Sequence, residues 1–254
     1  MNQEILFEQR GPVAIITINR PEQRNAINGA VRQGLFDAFA RFEKDASLLV
    51  AILTGTGEKA FCAGMDLKEA ASAMLGVPAR DFLPILGDAV QVSKPVIAAV
   101  NGVAYAGGWM FAQMCDLCIA SEHATFAITE AKVGRGMPWA APLVHMIPQR
   151  VMMELLLTGD PITARRAQEI GFVNHVVPAT ELMPFALAMA EKIAANAPLT
   201  VRAARELVYL STEMGRSAAL RAAYQAFESV YRSEDALEGP RAFKEKRPPN
   251  WKGR

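Results

Sequence analysis

The chain has 254 residues, 51% of them hydrophobic and 21% charged, so it is long enough to bury a large core and too apolar to remain disordered. Its 27 basic side chains nearly balance 26 acidic ones. No broad field therefore favours a nucleic-acid or membrane partner, and any anion must be met locally. The N-terminus Met1-Asn-Gln-Glu-Ile-Leu6 lacks a basic start leading into an apolar core and lacks an Arg-rich stretch, which makes a cytoplasmic location the expectation. Three cysteines include the pair Cys115-Asp-Leu-Cys118, but no second pair or nearby His completes a metal site. Buried thiols are the expectation, and no metal.

Glu4–Gln9 and Val13–Ile18 alternate apolar and polar residues around Gly11-Pro12, the pattern of a β-hairpin. A helix follows. Asn28 is its cap, and Val31, Leu35, Phe39 and Phe42 fall on one face. Leu48–Thr54 is a short apolar β-run ending at Gly55-Thr-Gly57. The pattern then predicts helix over Leu67–Ala73, a break at Gly76-Val-Pro78, and helix again over Phe82–Val92. Val96–Val100 is a strand, Gly107–Met114 a helix and Leu117–Ala120 a strand, an alternation that argues for α/β layering. The uncharged run from Pro95 to Cys115 is interrupted by Pro95, Asn101, Gln113 and three glycines, so it reads as strand, turn and buried helix instead of a membrane span. From Thr180 onward the chain is Ala-rich and helical, with apolar faces that exceed what the core can cover. Two regions result, an α/β core over 1–179 and a helical region over 180–254.

Two glycine turns carry chemistry. Lys94-Pro-Val-Ile-Ala-Ala-Val-Asn-Gly102 runs on through Tyr105 to the adjacent Gly107-Gly108, and Phe61-Cys-Ala-Gly-Met-Asp-Leu67 is a second such turn. Each presents bare backbone N–H groups, and together they suit a carbonyl oxygen that gains negative charge during reaction.

Several ordered motifs resemble the crotonase superfamily, the enoyl-CoA hydratase/isomerase family, over nearly the whole chain. They are Asn19-Arg-Pro21 with Asn25-Ala-Ile27, Ala60 to Glu69, Lys94 to Gly102, Cys115-Asp116, Leu157-Thr-Gly-Asp160 and Gly171 to Pro178. The resemblance implies a ββα superhelix, a helical C-terminal region that builds trimers or dimers of trimers, and an acyl-CoA substrate without a separate cofactor. By motif it puts the oxyanion N–H groups at Met65 and Gly107, where a bare glycine and the start of a helix suit a developing enolate. It also puts coenzyme A beside Arg24 and Ala26, with Ala63, Asp66 and Leu67 along the path.

Hydratases of that family carry two glutamates. Here the first position is Met110, which cannot move a proton, and the second is Glu130 in Phe126-Ala-Ile-Thr-Glu-Ala-Lys-Val-Gly134. Glu130 among Phe126, Ile128 and Trp139 is the candidate general acid/base, with a raised pKa; the competing reading pairs it at the surface with Lys132 or Arg135. Gly134-Arg-Gly-Met-Pro-Trp-Ala-Ala-Pro142 is bulkier than the hydratase pattern, so Met110 and Trp139 are candidates for the acyl-pocket wall, while Tyr105, Trp109 and Met137 read as core. His145 reads as a packed, hydrogen-bonded residue; His123 and His175 face water. One carboxylate suits double-bond isomerisation or hydratase-lyase chemistry. The alternative from another class is a non-catalytic relative that binds acyl-CoA or RNA.

Overall fold

The computed structural model describes residues 3–72 and 76–254. The N-terminal alternation forms the antiparallel hairpin β1 (Ile5–Arg10) and β2 (Val13–Ile18), which turns at Gly11 with φ of 54°. Helix α1 (Gly29–Lys44) starts where the Asn28 side chain accepts the Val31 N–H at 2.9 Å. Its Val31, Leu35, Phe39 and Phe42 are fully buried, each stabilising the fold by about 1.5–3 kcal/mol relative to exposure.

The chain then repeats one unit three times: a long strand, a short strand and a helix. The units are β3 (Val50–Gly55), β4 (Ala60–Cys62) and α2 (Leu67–Ser72); β5 (Val96–Val100), β6 (Val103–Tyr105) and α3 (Gly107–Gln113); and β7 (Leu117–Ser121), β8 (Thr125–Ala127) and α4 (Glu130–Val133). The long strands lie parallel in one sheet and the short strands parallel in another, so each turn of the spiral stacks on the last. The order continues with α5 (Gln149–Thr158), β9 (Ile162–Thr163), α6 (Ala164–Glu169), β10 (His175–Val177), α7 (Leu182–Ala194), α8 (Pro198–Glu213), α9 (Arg216–Tyr231) and α10 (Glu234–Glu245). The complete sheets run β1-β2-β3-β5-β7-β10 and β4-β6-β8-β9.

Both faces of the large sheet are covered, which explains its near-continuous apolar strands. Ala51, Leu53, Val96 and Ala98 face the main core with α1 and α3, whereas Val50, Ile52, Ile97 and Ile119 pack under Leu182, Ala186 and Ala190 of α7.

Two expectations fail. Phe82–Val92 is a series of turns with one short bridge between Leu86 and Val90, not a helix. Pro84 has no N–H to give a helix, and Gly87 sits at φ of 83°. The helix expected over Leu67–Ala73 is present as α2 to Ser72; Ala73 lies outside the described residues. His145 is exposed instead of packed, because the 3-10 helix Pro138–His145 turns Ala140 and Leu143 inward.

Helices α8, α9 and α10 stand off the core. Asp116 ties α8 back by accepting from Arg205 Nε at 2.7 Å and the Tyr209 hydroxyl at 2.8 Å, while its second oxygen accepts the Val96 N–H. Leu220, Tyr224, Tyr231, Leu237 and Phe243 remain exposed, Phe243 to 88%. Cys62, Cys115 and Cys118 are free and buried, and burial pushes the Cys62 thiol up to about 12. Among the described residues no cluster of three His, Cys, Asp or Glu forms, and no helix is long and apolar enough to cross a membrane.

Candidate active site

Residues 24–27 run alongside residues 63–66. The Ala63 N–H donates to the Arg24 carbonyl at 3.0 Å, the Ile27 N–H to Gly64 at 2.8 Å, and the Asp66 N–H to Ile27 at 2.9 Å. In this parallel bridge Ile27 uses the peptides on either side of Met65, so the Met65 N–H points the opposite way. Among the described residues it has no protein acceptor, and neither does the Gly107 N–H at the first position of α3.

Those two turns touch. A Cβ on Gly64, whose φ is +93°, would lie 2.9 Å from the Ala106 Cβ, 3.0 Å from the Tyr105 carbonyl oxygen and 3.5 Å from the Gly107 nitrogen. A Cβ on Gly108 would come within 1.9 Å of the Cys62 carbonyl oxygen. Only glycine permits this approach. Ala106, the residue that aims the Gly107 peptide, is held at φ 51° and ψ −118°, a strained conformation for an L-residue. Its N–H is anchored on the Ala127 carbonyl at 2.8 Å.

That anchor brings in the carboxylate. Strands β6 and β8 pair Tyr105 with Ala127, and Glu130 follows three residues later at the start of α4, on the Gly107 side of the core. Glu130 is only 6% exposed, and its Oε2 has no protein partner. Burial raises its pKa, opposed by its own N–H and by the Trp139 side chain. Lys132 is not its counter-ion, since Lys132 pairs with Asp160 at 2.6 Å.

Met110 is fully buried on α3, one turn after the strained Ala106. Trp139 is half-buried on the 3-10 helix, whose backbone is tied to α3 by Gln113 Nε2 donating to the Trp139 carbonyl at 2.8 Å. Trp109 is core, tilted against Phe172 at 4.8 Å and edge-on to Phe126 at 5.7 Å.

Arg24, Ala26, Ala63, Met65, Asp66 and Leu67 thus share one ribbon, which meets the turn carrying Gly107 at the glycine contact. Arg24 is exposed in the left-handed region, Ala26 is buried, and Leu67 is 59% exposed. The Asp66 carboxylate is committed within the protein. It accepts from both terminal nitrogens of Arg20 at 3.2 Å and caps α2 through the Lys68 and Glu69 N–H groups. Burial would raise its pKa, but these bonds outweigh burial and lower it.

Sequence reasoning missed three residues that build this site. Arg20 holds Asp66 and the Ala26 carbonyl. Asn25, fully buried, donates to the Ala60 and Thr56 carbonyls and fixes the ribbon to β4. Gln113 is the third; its signal was a lone amide in an apolar run.

The family model for enoyl-CoA hydratase/isomerase matches residues 8–254. The carnitinyl-CoA dehydratase of Proteus mirabilis is 41% identical with both chains fully covered, and that of Salmonella paratyphi A is 39% identical over the same full extent. Among solved structures, an enoyl-CoA hydratase from Mycobacterium marinum superposes with a TM-score of 0.91 at 41% identity, covering 99% of this chain and 100% of that one. An enoyl-CoA hydratase/isomerase from Mycobacterium paratuberculosis reaches the same TM-score at 32% identity, with 100% of each chain covered. With the spiral of ββα units, the paired glycine turns and full-length similarity all in agreement, the chain belongs to the enoyl-CoA hydratase/isomerase family, the crotonase superfamily, whose substrates are acyl-CoA thioesters.

Proposed function

We propose that this enzyme moves protons on an acyl-CoA thioester with Glu130 as its single general acid/base, and that the net reaction is reversible loss of water from a 3-hydroxyacyl-CoA. The observation that carries this reading is the buried Glu130 carboxylate with one unpartnered oxygen, which follows the end of β8 as the Met65 and Gly107 N–H groups, without protein acceptors, follow the same ends of the parallel strands β4 and β6.

The thioester oxygen docks on the Met65 and Gly107 N–H groups. Glu130 removes a proton from the α-carbon, and the negative charge that forms moves onto that oxygen, where preorganised donors stabilise it. The enolate then collapses, the bond from the β-carbon to its hydroxyl oxygen breaks, and the leaving oxygen takes the proton back from Glu130. Water and a 2-enoyl-CoA leave, and Glu130 is again a carboxylate. The carboxyl group works once as base and once as acid, so a second glutamate at position 110 is not required.

The dehydratase names of the full-length relatives favour elimination of water. The apolar Met110 favours a second reading, double-bond migration, in which the proton returns to the γ-carbon. Coenzyme A lies along Arg24, Ala26, Ala63 and Leu67, with Arg24 the phosphate partner; Asp66 holds that ribbon in place. No cofactor takes part. Location in the cytoplasm and assembly into a trimer or a pair of trimers belong to the same proposal, the assembly because the exposed apolar faces of α9 and α10 require cover.

The test is product analysis with carnitinyl-CoA, 3-hydroxybutyryl-CoA and a 3-enoyl-CoA, using wild type and Glu130→Gln. Dehydration by wild type, lost in Glu130→Gln while acyl-CoA binding persists, is the expected result. Turnover unaffected by Glu130→Gln removes the reading.

A further inference from the structure

Gln113 is the one residue of α3 whose side chain is an amide, and it is buried to 6% exposure. Its Nε2 is used, donating to the Trp139 carbonyl. Its Oε1 is buried and has no protein donor. A buried acceptor left in that state costs stability unless a donor arrives from outside the fold.

The geometry says where the donor comes from. Gln113 follows Met110 by three residues, so the two share a helix face, and long side chains on a helix lean back over the turn preceding their own Cα. The Gln113 amide therefore covers the turn that carries Met110. The same amide is tied to the backbone of Trp139, whose side chain holds the Glu130 pKa down against burial. Gln113 Oε1 and Glu130 Oε2 are both buried acceptor oxygens without protein partners, and Trp139 is the residue linked to each side chain.

We propose that Gln113 is the residue that orients the departing hydroxyl, or the entering water in the reverse direction: its Oε1 accepts the O–H while Glu130 exchanges a proton with that oxygen. This rests on the dehydration reading above and specifies the substrate class, a 3-hydroxyacyl thioester whose hydroxyl is a donor. Gln113 moves no proton. It holds the oxygen so that the bond to the β-carbon breaks as the Glu130 proton arrives.

The experiment separates the two halves of the reaction in Gln113→Met, which conserves volume, and Gln113→Leu. One assay follows exchange of the α-proton of butyryl-CoA with deuterium oxide, which needs Glu130 and the oxyanion donors but no hydroxyl. The other follows dehydration of 3-hydroxybutyryl-CoA. The expected result is exchange within about threefold of wild type and dehydration lowered about a hundredfold, the scale of one lost acid/base-orienting group. Equal loss of both, as Trp139→Phe should give through Glu130, or no loss of either, overturns the proposal. Wild-type enzyme that exchanges the α-proton without dehydrating overturns it too and leaves the Glu130 assignment standing, whereas exchange that survives Glu130→Gln overturns that assignment instead. If the variants do not fold, wild-type affinity decides: 3-hydroxybutyryl-CoA should bind at least about fivefold tighter than butyryl-CoA, and equal affinity overturns the proposal.

Discussion

Gly64 and Gly107 meet backbone to backbone: a Cβ placed on Gly107 would sit 3.7 Å from the Gly64 Cα and 2.7 Å from the Ile27 Cδ1. The two glycine turns are thus one object, and the N–H groups of Met65 and Gly107 are positioned by the same contact. Gly107→Val should lower kcat at least about a hundredfold, the scale of one lost oxyanion donor. Gly107→Ala should be milder, because the first atom met is the end of a flexible isoleucine. Gly64→Ala adds a left-handed backbone to the crowding and should also destabilise the fold by about 1–3 kcal/mol. Steady-state kinetics and thermal melts of the three variants check the order; unchanged turnover in Gly107→Val would dismiss the oxyanion assignment.

Glu130 has a stability consequence opposite to its value in catalysis. Burial raises its folded-state pKa, so the folded protein holds this proton more tightly than the unfolded chain. The resulting stabilisation is complete below the unfolded carboxyl pKa and is lost as pH rises through the folded one. At neutral pH the carboxylate is a burden. Glu130→Gln should therefore melt higher than wild type at pH 7, by about 2–4 °C for each kcal/mol relieved in a chain of this size, and show a smaller gain at pH 4. Scanning calorimetry at both values tests it, and an equal or lower melting temperature at pH 7 counts against a buried, charged Glu130.

The pH–rate profile follows from the same shift. Proton abstraction needs the carboxylate, so activity should fall with acid at a pH above the ordinary carboxylate range. Trp139 opposes the upward shift, hence Trp139→Phe should move the acidic limb still higher. A limb that stays in place, or moves down, in that variant would show that the indole does not reach Glu130.

Much of this is legible in the sequence, because it is local. The face of α1 lies within sixteen residues, and the glycine pair announces a close approach wherever it occurs. The resemblance to the family adds what periodicity cannot, the ββα superhelix and the assignment of the oxyanion N–H groups to Met65 and Gly107. Phe82–Val92 misled because its apolar spacing is helical while Pro84 and Gly87 deny the backbone. The Arg20–Asp66 pair spans 46 positions and Asn25 reaches Ala60 across 35; such bonds leave no periodic trace. The orphaned Gln113 oxygen is visible only once every neighbour is in place.

The exposed apolar side chains of α9 and α10 give an assembly prediction. Within one chain the apolar residues these helices bury are Ala219, Ala223 and Ala242, beside the buried Asp235, while Tyr224, Tyr231, Leu237 and Phe243 face outward. Light scattering at micromolar concentration should report a trimer or a hexamer. Phe243→Glu paired with Leu237→Glu should shift the mass toward the monomer, whereas a wild-type monomer would refute the assignment.

Met110 offers the most demanding test of single-carboxylate chemistry. Met110→Glu places a second carboxyl where the resemblance has a glutamate, on the helix that begins with Gly107. If that position faces the reacting carbons, hydration of crotonyl-CoA should rise at least about tenfold relative to α-proton exchange, since a positioned acid/base group is worth 10²–10⁴-fold at best. The two carboxyls would also raise one another's proton affinity, moving the acidic limb of the profile upward. Because Met110 is 1% exposed, the new group enters a dry site and should cost about 1–3 kcal/mol where it finds no partner. A melt therefore accompanies the assay. A folded Met110→Glu enzyme with unchanged hydration and an unmoved acidic limb would mean that Met110 is core and not pocket wall, and would count equally against Gln113, which shares its helix face.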